Sequence, residues 1–144
     1  MWKRAGIAAA LGVLMCVTGG SAMAGGDMAT KATKLPELNI GGGDSGYNMS
    51  PKSYDLETGK AYRLHLKATG DKECVLRGAE FFSSIYVRQI AAGEAEILNP
   101  TFTGFEFDDP SEAELYFVPV RTGKFTIGCT GLEEKGMKVE ITVK

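Results

Sequence analysis

The sequence predicts an all-β fold, an antiparallel β-sandwich of seven to eight short strands, on three observations. Apolar and polar residues alternate with a period of two in Tyr62-Arg63-Leu64-His65-Leu66-Lys67-Ala68, the pattern of a strand with one face in the core and one in water. Turn-forming groups recur between such runs: Thr69-Gly70-Asp71, Ala92-Gly93-Glu94, Asn99-Pro100, Asp109-Pro110 and Thr122-Gly123. No long segment carries the 3.6-residue apolar period of an amphipathic helix, so helical layers are excluded.

The elements follow in order. Residues 1–24 read as a cleavable signal peptide: Lys3 and Arg4 precede the apolar run Ala5 to Val17, and Ser21-Ala22-Met23-Ala24 ends in small residues that place cleavage after Ala24. The apolar run is too short for the roughly 20 residues that cross a bilayer, and no second run follows, so stable membrane insertion is not expected. Residues 25–46 hold Gly25, Gly26 and the run Gly41-Gly42-Gly43-Asp44-Ser45-Gly46, with only Leu35, Leu38 and Ile40 to bury. They are expected to be a flexible Gly-rich lead-in with at most one short strand. The glycines form no phosphate loop, since no Gly-Lys-Ser/Thr follows them. Residues 47–144 form the domain. Beyond residues 62–68, strands are expected at 74–76, 84–90, 95–98, 104–107, 113–120, 124–129 and 138–143, with one helical turn around 79–84.

Composition excludes several functions. The chain has 16 Lys and Arg against 18 Asp and Glu; the leader removes two bases and no acid, leaving 14 against 18, a formal charge of −4. Such a domain is not a nucleic-acid partner. His65 is the only histidine, and strand alternation puts it on a solvent face between Arg63 and Lys67, a poor base and a poor ligand. Hydrolase designs that need a His beside a nucleophile, and His-rich zinc sites, are therefore not expected, and the protein is read as a non-enzyme. No Cys-x-x-Cys occurs. Cys16 leaves with the leader, so the mature chain keeps Cys74 and Cys129 in a periplasmic or secreted, oxidising space, where two cysteines default to a disulfide. Glu106, Asp108, Asp109, Glu112 and Glu114 form an acidic stretch that could receive a basic partner, although charges on an outer sheet face usually stay wet. Phe81, Phe82, Tyr86, Phe102, Phe105, Phe107 and Tyr116 are expected to pack in the core or at its rim.

The C-terminal stretch carries the sharpest pattern. In Phe125-Thr126-Ile127-Gly128-Cys129 the odd positions are inward, so Cys129 ends a buried strand; Met137 shares the parity of Val139, Ile141 and Val143. A thiolate and a thioether at the mouth of a sandwich are soft donors of the kind that hold copper. The run Glu112 to Thr130, followed by Gly136-Met137 and a last strand, resembles the end of a cupredoxin, with the Cys129-to-Met137 spacing of plastocyanin-like members. Met49-Ser50-Pro51, Thr58 to Leu64 and Gly78-Ala79-Glu80-Phe81-Phe82 are similar to bacterial periplasmic cupredoxin-like proteins, so the resemblance covers residues 47–144.

The resemblance implies a Greek-key β-sandwich and a copper corner, yet both copper histidines are missing. The upstream position falls at Cys74, after Glu73, and the loop position near Leu132, before Glu133 and Glu134. Two outcomes follow from it. In one, Cys74, Cys129, Met137, Glu133 and Glu134 hold copper, as Cu(I) and not as a blue centre, in a protein that handles copper or passes electrons to a periplasmic redox or metal-transfer protein. In the other, Cys74 and Cys129 form a disulfide that staples a metal-free interaction module.

Overall fold

A computed structural model describes residues 30–93, 95–98 and 102–144 of the chain. The expected signal peptide lies outside the described residues. Among the described residues, twelve strands form two sheets packed face to face, with a four-residue α-helical turn and a short 3-10 turn. The first sheet runs β3 (Met49–Ser50), β2 (Leu38–Ile40), β5 (Tyr62–Ala68), β10 (Ser111–Pro119), β7 (Ile85–Ala92), β8 (Ala95–Leu98), with β1 (Thr33–Lys34) also on β5. The second runs β4 (Ser53–Leu56), β12 (Lys138–Val143), β11 (Gly123–Cys129), β6 (Cys74–Arg77), β9 (Gly104–Phe107).

The period-two pattern sets the core. Along β5, Tyr62, Leu64, Leu66 and Ala68 are buried while Arg63, His65 and Lys67 face out. β10 opposes it with Ala113, Leu115 and Phe117 inward. In β7 the alternation breaks: Val87 and Ile90 are both inward, because the register against β10 shifts between Tyr116 and Phe117. One extra residue in a bulge restores the inward face after a slip of parity. From the second sheet, Phe125, Ile127, Val139, Ile141 and Val143 fill the interior. The turn Ala79–Phe82, near the place the sequence suggests, drops Phe81 between the sheets with its ring edge-on to Phe117 at 5.8 Å. Of the aromatic residues expected in the core or at its rim, Tyr86 is instead 38 % exposed and Tyr116 lies on the outer face of β10.

Two features depart from expectation. The sheets are mixed: β2 runs parallel to β5, and β4 parallel to β12, so the sandwich is not wholly antiparallel. The supposed lead-in is also partly structural. Leu38 and Ile40 are 0 % and 2 % exposed, and their strand pairs with Leu66 to Ala68. Two inward residues suffice to seat a three-residue strand on an existing sheet, a gain that glycine content does not reveal. β3 and β4 are likewise beyond the expected set of strands.

Candidate functional site

Cys74 begins β6 and Cys129 ends β11, neighbouring strands in the second sheet. Both point inward and both are fully buried. Their Cα atoms are 5.0 Å apart and their sulfurs are joined as a disulfide spanning 55 residues, within the separation that the bond allows. The alternative pairing expected from the sequence is thus the one present.

Met137 precedes β12 and is fully buried. The Cys129 N–H donates to the Met137 carbonyl at 3.0 Å, and the Met137 N–H donates to the Leu132 carbonyl at 3.3 Å, so the loop between them folds tightly back on itself. The loop holds one turn of 3-10 helix, Glu133–Lys135, closed by Gly136 at φ 100°, a left-handed conformation that favours glycine. Gly128, one residue before Cys129, has the opposite facing: a Cβ there would lie 2.9 Å from the Met137 carbonyl oxygen and 3.0 Å from Glu133 Cγ. The stem of Glu133 therefore rests on the outer face of β11, across the strand from the inward Cys129. Glu134 is exposed. With both sulfurs in the bridge, neither is a thiolate, and the copper donors expected from the sequence reduce to Met137 and two carboxylates on or beyond the outer face. This set does not fit a copper ion while the bridge is closed.

Beside the loop, two lysines flank one tyrosine. Tyr47 lies between Lys135, 4.4 Å from its ring centroid, and Lys72, at 4.8 Å. The Lys135 ammonium also donates to the phenol oxygen at 3.4 Å. That hydrogen bond, then the charges of Lys135 and Lys72, hold the Tyr47 pKa below the ordinary phenol range.

The acidic stretch divides between the two sheets. Glu106 and Asp108 join Glu73 in an exposed group whose carboxylates lie within 4.8 Å of one another. Glu112 and Glu114 stand instead on the outer face of the first sheet among cations. Glu114 pairs with Arg63 and accepts from the Tyr116 hydroxyl at 2.8 Å. The Arg63 hydrogen bond is the main reason its carboxyl sits below the usual range. Glu112 lies 3.5 Å from Lys67 and 3.3 Å from His65.

His65 is where the sequence misled. Alternation along β5 shows only Arg63 and Lys67 beside it, yet the ring is held between carboxylates, Glu37 Oε2 at 2.6 Å from Nδ1 and Glu112 Oε2 at 3.3 Å from Nε2. Both acids come from across the sheet, Glu37 just before β2 and Glu112 from β10. The residue directly opposite His65 on β10 is Glu114, which Arg63 and Tyr116 engage; Glu112 stands opposite Lys67 and reaches the ring diagonally. The alternation with Arg63 and Lys67 could have prompted a search for facing acids.

No family model matches the chain, and no curated protein matches it. Solved structures do. A copper nitrite reductase from Nitrosomonas europaea aligns with a TM-score of 0.60 at 10% identity, over 82% of this chain and 51% of its own. A multi-copper oxidase from Pediococcus acidilactici aligns at 0.58 and 14% identity, over 78% and 26%. Auracyanin from the photosynthetic bacterium Roseiflexus castenholzii aligns at 0.50 and 15% identity, over 79% and 99%. The chain thus spans about half of the reductase chain and about a quarter of the oxidase chain, while matching auracyanin nearly end to end. Identities this low bear on architecture alone. The chain has the cupredoxin fold, with a buried Cys74–Cys129 disulfide joining β6 to β11.

Proposed function

We propose that the protein is an exported, non-enzymatic binding module on the cupredoxin fold, in which a disulfide occupies the corner that resembles a copper site. The observation that carries this reading is the closed Cys74–Cys129 bridge, fully buried on both sides. Export is supported by the leader pattern and agrees with a disulfide, which persists in oxidising compartments. The non-enzymatic part is supported by His65, whose two ring nitrogens face carboxylates rather than a nucleophile. The partner is proposed to present basic side chains, since Glu73, Glu106 and Asp108 crowd together exposed and uncompensated by one another. Such docking weakens as salt screens the charges.

A second reading, copper handling or electron transfer with a periplasmic redox or metal-transfer protein, is favoured by one observation: Cys129 and Met137 are both buried and linked through their backbones, in a fold shared with proteins named for copper. It requires the bridge to open. A dithiol reductant would supply two electrons and two protons, becoming a disulfide itself, and leave Cys74 and Cys129 as thiols able to meet Cu(I) with Met137.

Thiol counting on the mature protein, purified anaerobically and denatured with and without reductant, separates the two. The expected result is no free thiol before reduction, two after it, and no copper by elemental analysis. Two free thiols with stoichiometric copper in the protein as isolated would overturn the first reading in favour of the second.

A further inference from the structure

The outer face of the first sheet holds a site unrelated to the disulfide corner. His65 is the only histidine in the chain, and its imidazole is fixed from both sides. Glu37 Oε2 lies 2.6 Å from Nδ1; a carboxylate oxygen only accepts, which assigns the donor N–H to Nδ1. With Nδ1 as donor, the neutral ring presents the lone pair of Nε2 on its other side. That lone pair meets another acceptor, Glu112 Oε2, at 3.3 Å. A second proton on the ring would make this contact an ion pair; on the neutral ring, a cation between the two acceptors takes that proton's place.

The separation matches a particular cation. Zinc–nitrogen and zinc–oxygen bonds of about 2.0–2.2 Å at a tetrahedral angle put two ligand atoms about 3.4 Å apart. Glu37 then plays the part of the carboxylate that takes the second ring N–H of a metal-bound histidine, fixing its tautomer and turning it toward the ion. The ring and Glu112 border an open groove of about 480 Å³ in which Ala91, Gly93 and Ser111 leave room for the remaining ligands. Glu114 is not among the donors, being engaged by Arg63 and Tyr116. Lys67 touches the other oxygen of Glu112 at 3.5 Å from an exposed position, so the carboxylate can turn without stranding a buried charge.

We propose that His65 and Glu112 bind a borderline divalent cation of the zinc type, with Glu37 as the positioning residue and water completing the shell. An imidazole donor selects this class over calcium or magnesium, which prefer oxygen alone. Two protein donors and an open shell make this an exchangeable site, distinct from a structural zinc. It does not depend on the state of Cys74 and Cys129.

Because there is one histidine, the imidazole nitrogens of the ¹⁵N-labelled, disulfide-intact mature protein give a single pair of resonances. Zn²⁺ alone, titrated at neutral pH in a non-chelating buffer, is expected to move the Nε2 resonance saturably with one ion per chain, while Nδ1 keeps its proton. Equilibrium dialysis should show that stoichiometry lost in His65→Ala and in Glu112→Gln, and affinity lowered about tenfold or more in Glu37→Gln. Unchanged thermal unfolding in Glu112→Gln guards against loss of fold as the cause. Nitrogen resonances indifferent to excess Zn²⁺, a ring protonated on both nitrogens and unresponsive, or equal Zn²⁺ uptake by His65→Ala would each overturn the proposal and leave His65 as an ion-pair bridge.

Discussion

Two tyrosines show how position alone separates identical side chains. Tyr54 is buried, and its hydroxyl donates to the Pro36 carbonyl at 2.9 Å; loss of hydration pushes its pKa well above the phenol range. Tyr47, on the surface against Lys135 and Lys72, is shifted the other way. A near-ultraviolet phenolate titration is expected to show Tyr47 ionising before Tyr54, and Lys135→Ala should return the Tyr47 step toward the ordinary value of about 10. The sign for stability follows from Tyr54: its folded pKa lies above the unfolded one, so its contribution is complete below about pH 10 and is lost as pH rises beyond that. Tyr54→Phe should remove this alkaline loss; an unchanged alkaline limb would refute the assignment. Neither shift was legible in the sequence, because the lysines that flank Tyr47 arrive from 25 and 88 positions away.

At the scale of elements, the second sheet has a weak joint. β11 and β12 share six register pairs, Gly123↔Val143 through Gly128↔Lys138, whereas β11 meets β6 only at Gly128↔Arg77 and Cys129↔Leu76. The Thr130 N–H and hydroxyl add two bonds to the Val75 carbonyl, at 3.0 and 3.1 Å. The disulfide lies at this joint and fastens β6 and β9 to the rest of the sheet. Replacing both cysteines with alanine is expected to lower unfolding free energy by about 4 kcal/mol, the chain-entropy value for closing a loop of 55 residues. Urea unfolding of the variant against the oxidised protein checks it; a difference below about 1 kcal/mol would mean that the ladder and the Thr130 bonds hold the joint unaided. The strands themselves were largely readable. Residues 62–68, 95–98, 104–107 and 138–143 appear with the bounds their alternation and turns suggest. β3 and β4 were not, since two to four residues are too few for a period to register, and β4 is held by parallel pairing to a strand over 80 residues later.

For the whole molecule, the segment before residue 47 decides how the first sheet ends. β2 covers the edge of β5 that β10 leaves open, Leu38 and Ile40 enter the core, Pro36 receives the Tyr54 hydroxyl, and Arg88 donates to the Thr30 carbonyl at 2.9 Å. Deleting residues 25–46 from the mature protein is expected to cost more than either buried side chain alone. Each is worth about 2–5 kcal/mol by truncation to alanine, against a typical total of about 5–15 kcal/mol. It would also bare a long strand edge that invites association. Circular dichroism and size-exclusion chromatography should show unfolded or associated material. A monomer as stable as the intact mature protein would show the segment to be dispensable.

What the sequence by itself determined is orientation: which residues of β5, β10, β11 and β12 turn inward, and hence that Cys129 and Met137 are buried and that His65 lies on an outer face. Strand alternation is a local property with a period of two, so a few consecutive residues display it. What only the tertiary structure decided is company. That Cys74 meets Cys129 in a closed bridge, that Glu37 and Glu112 grip His65, and that Leu38 and Ile40 join the core all depend on register between strands far apart in the chain. Register is set by the packing of both sheets at once, and no window of the sequence contains it.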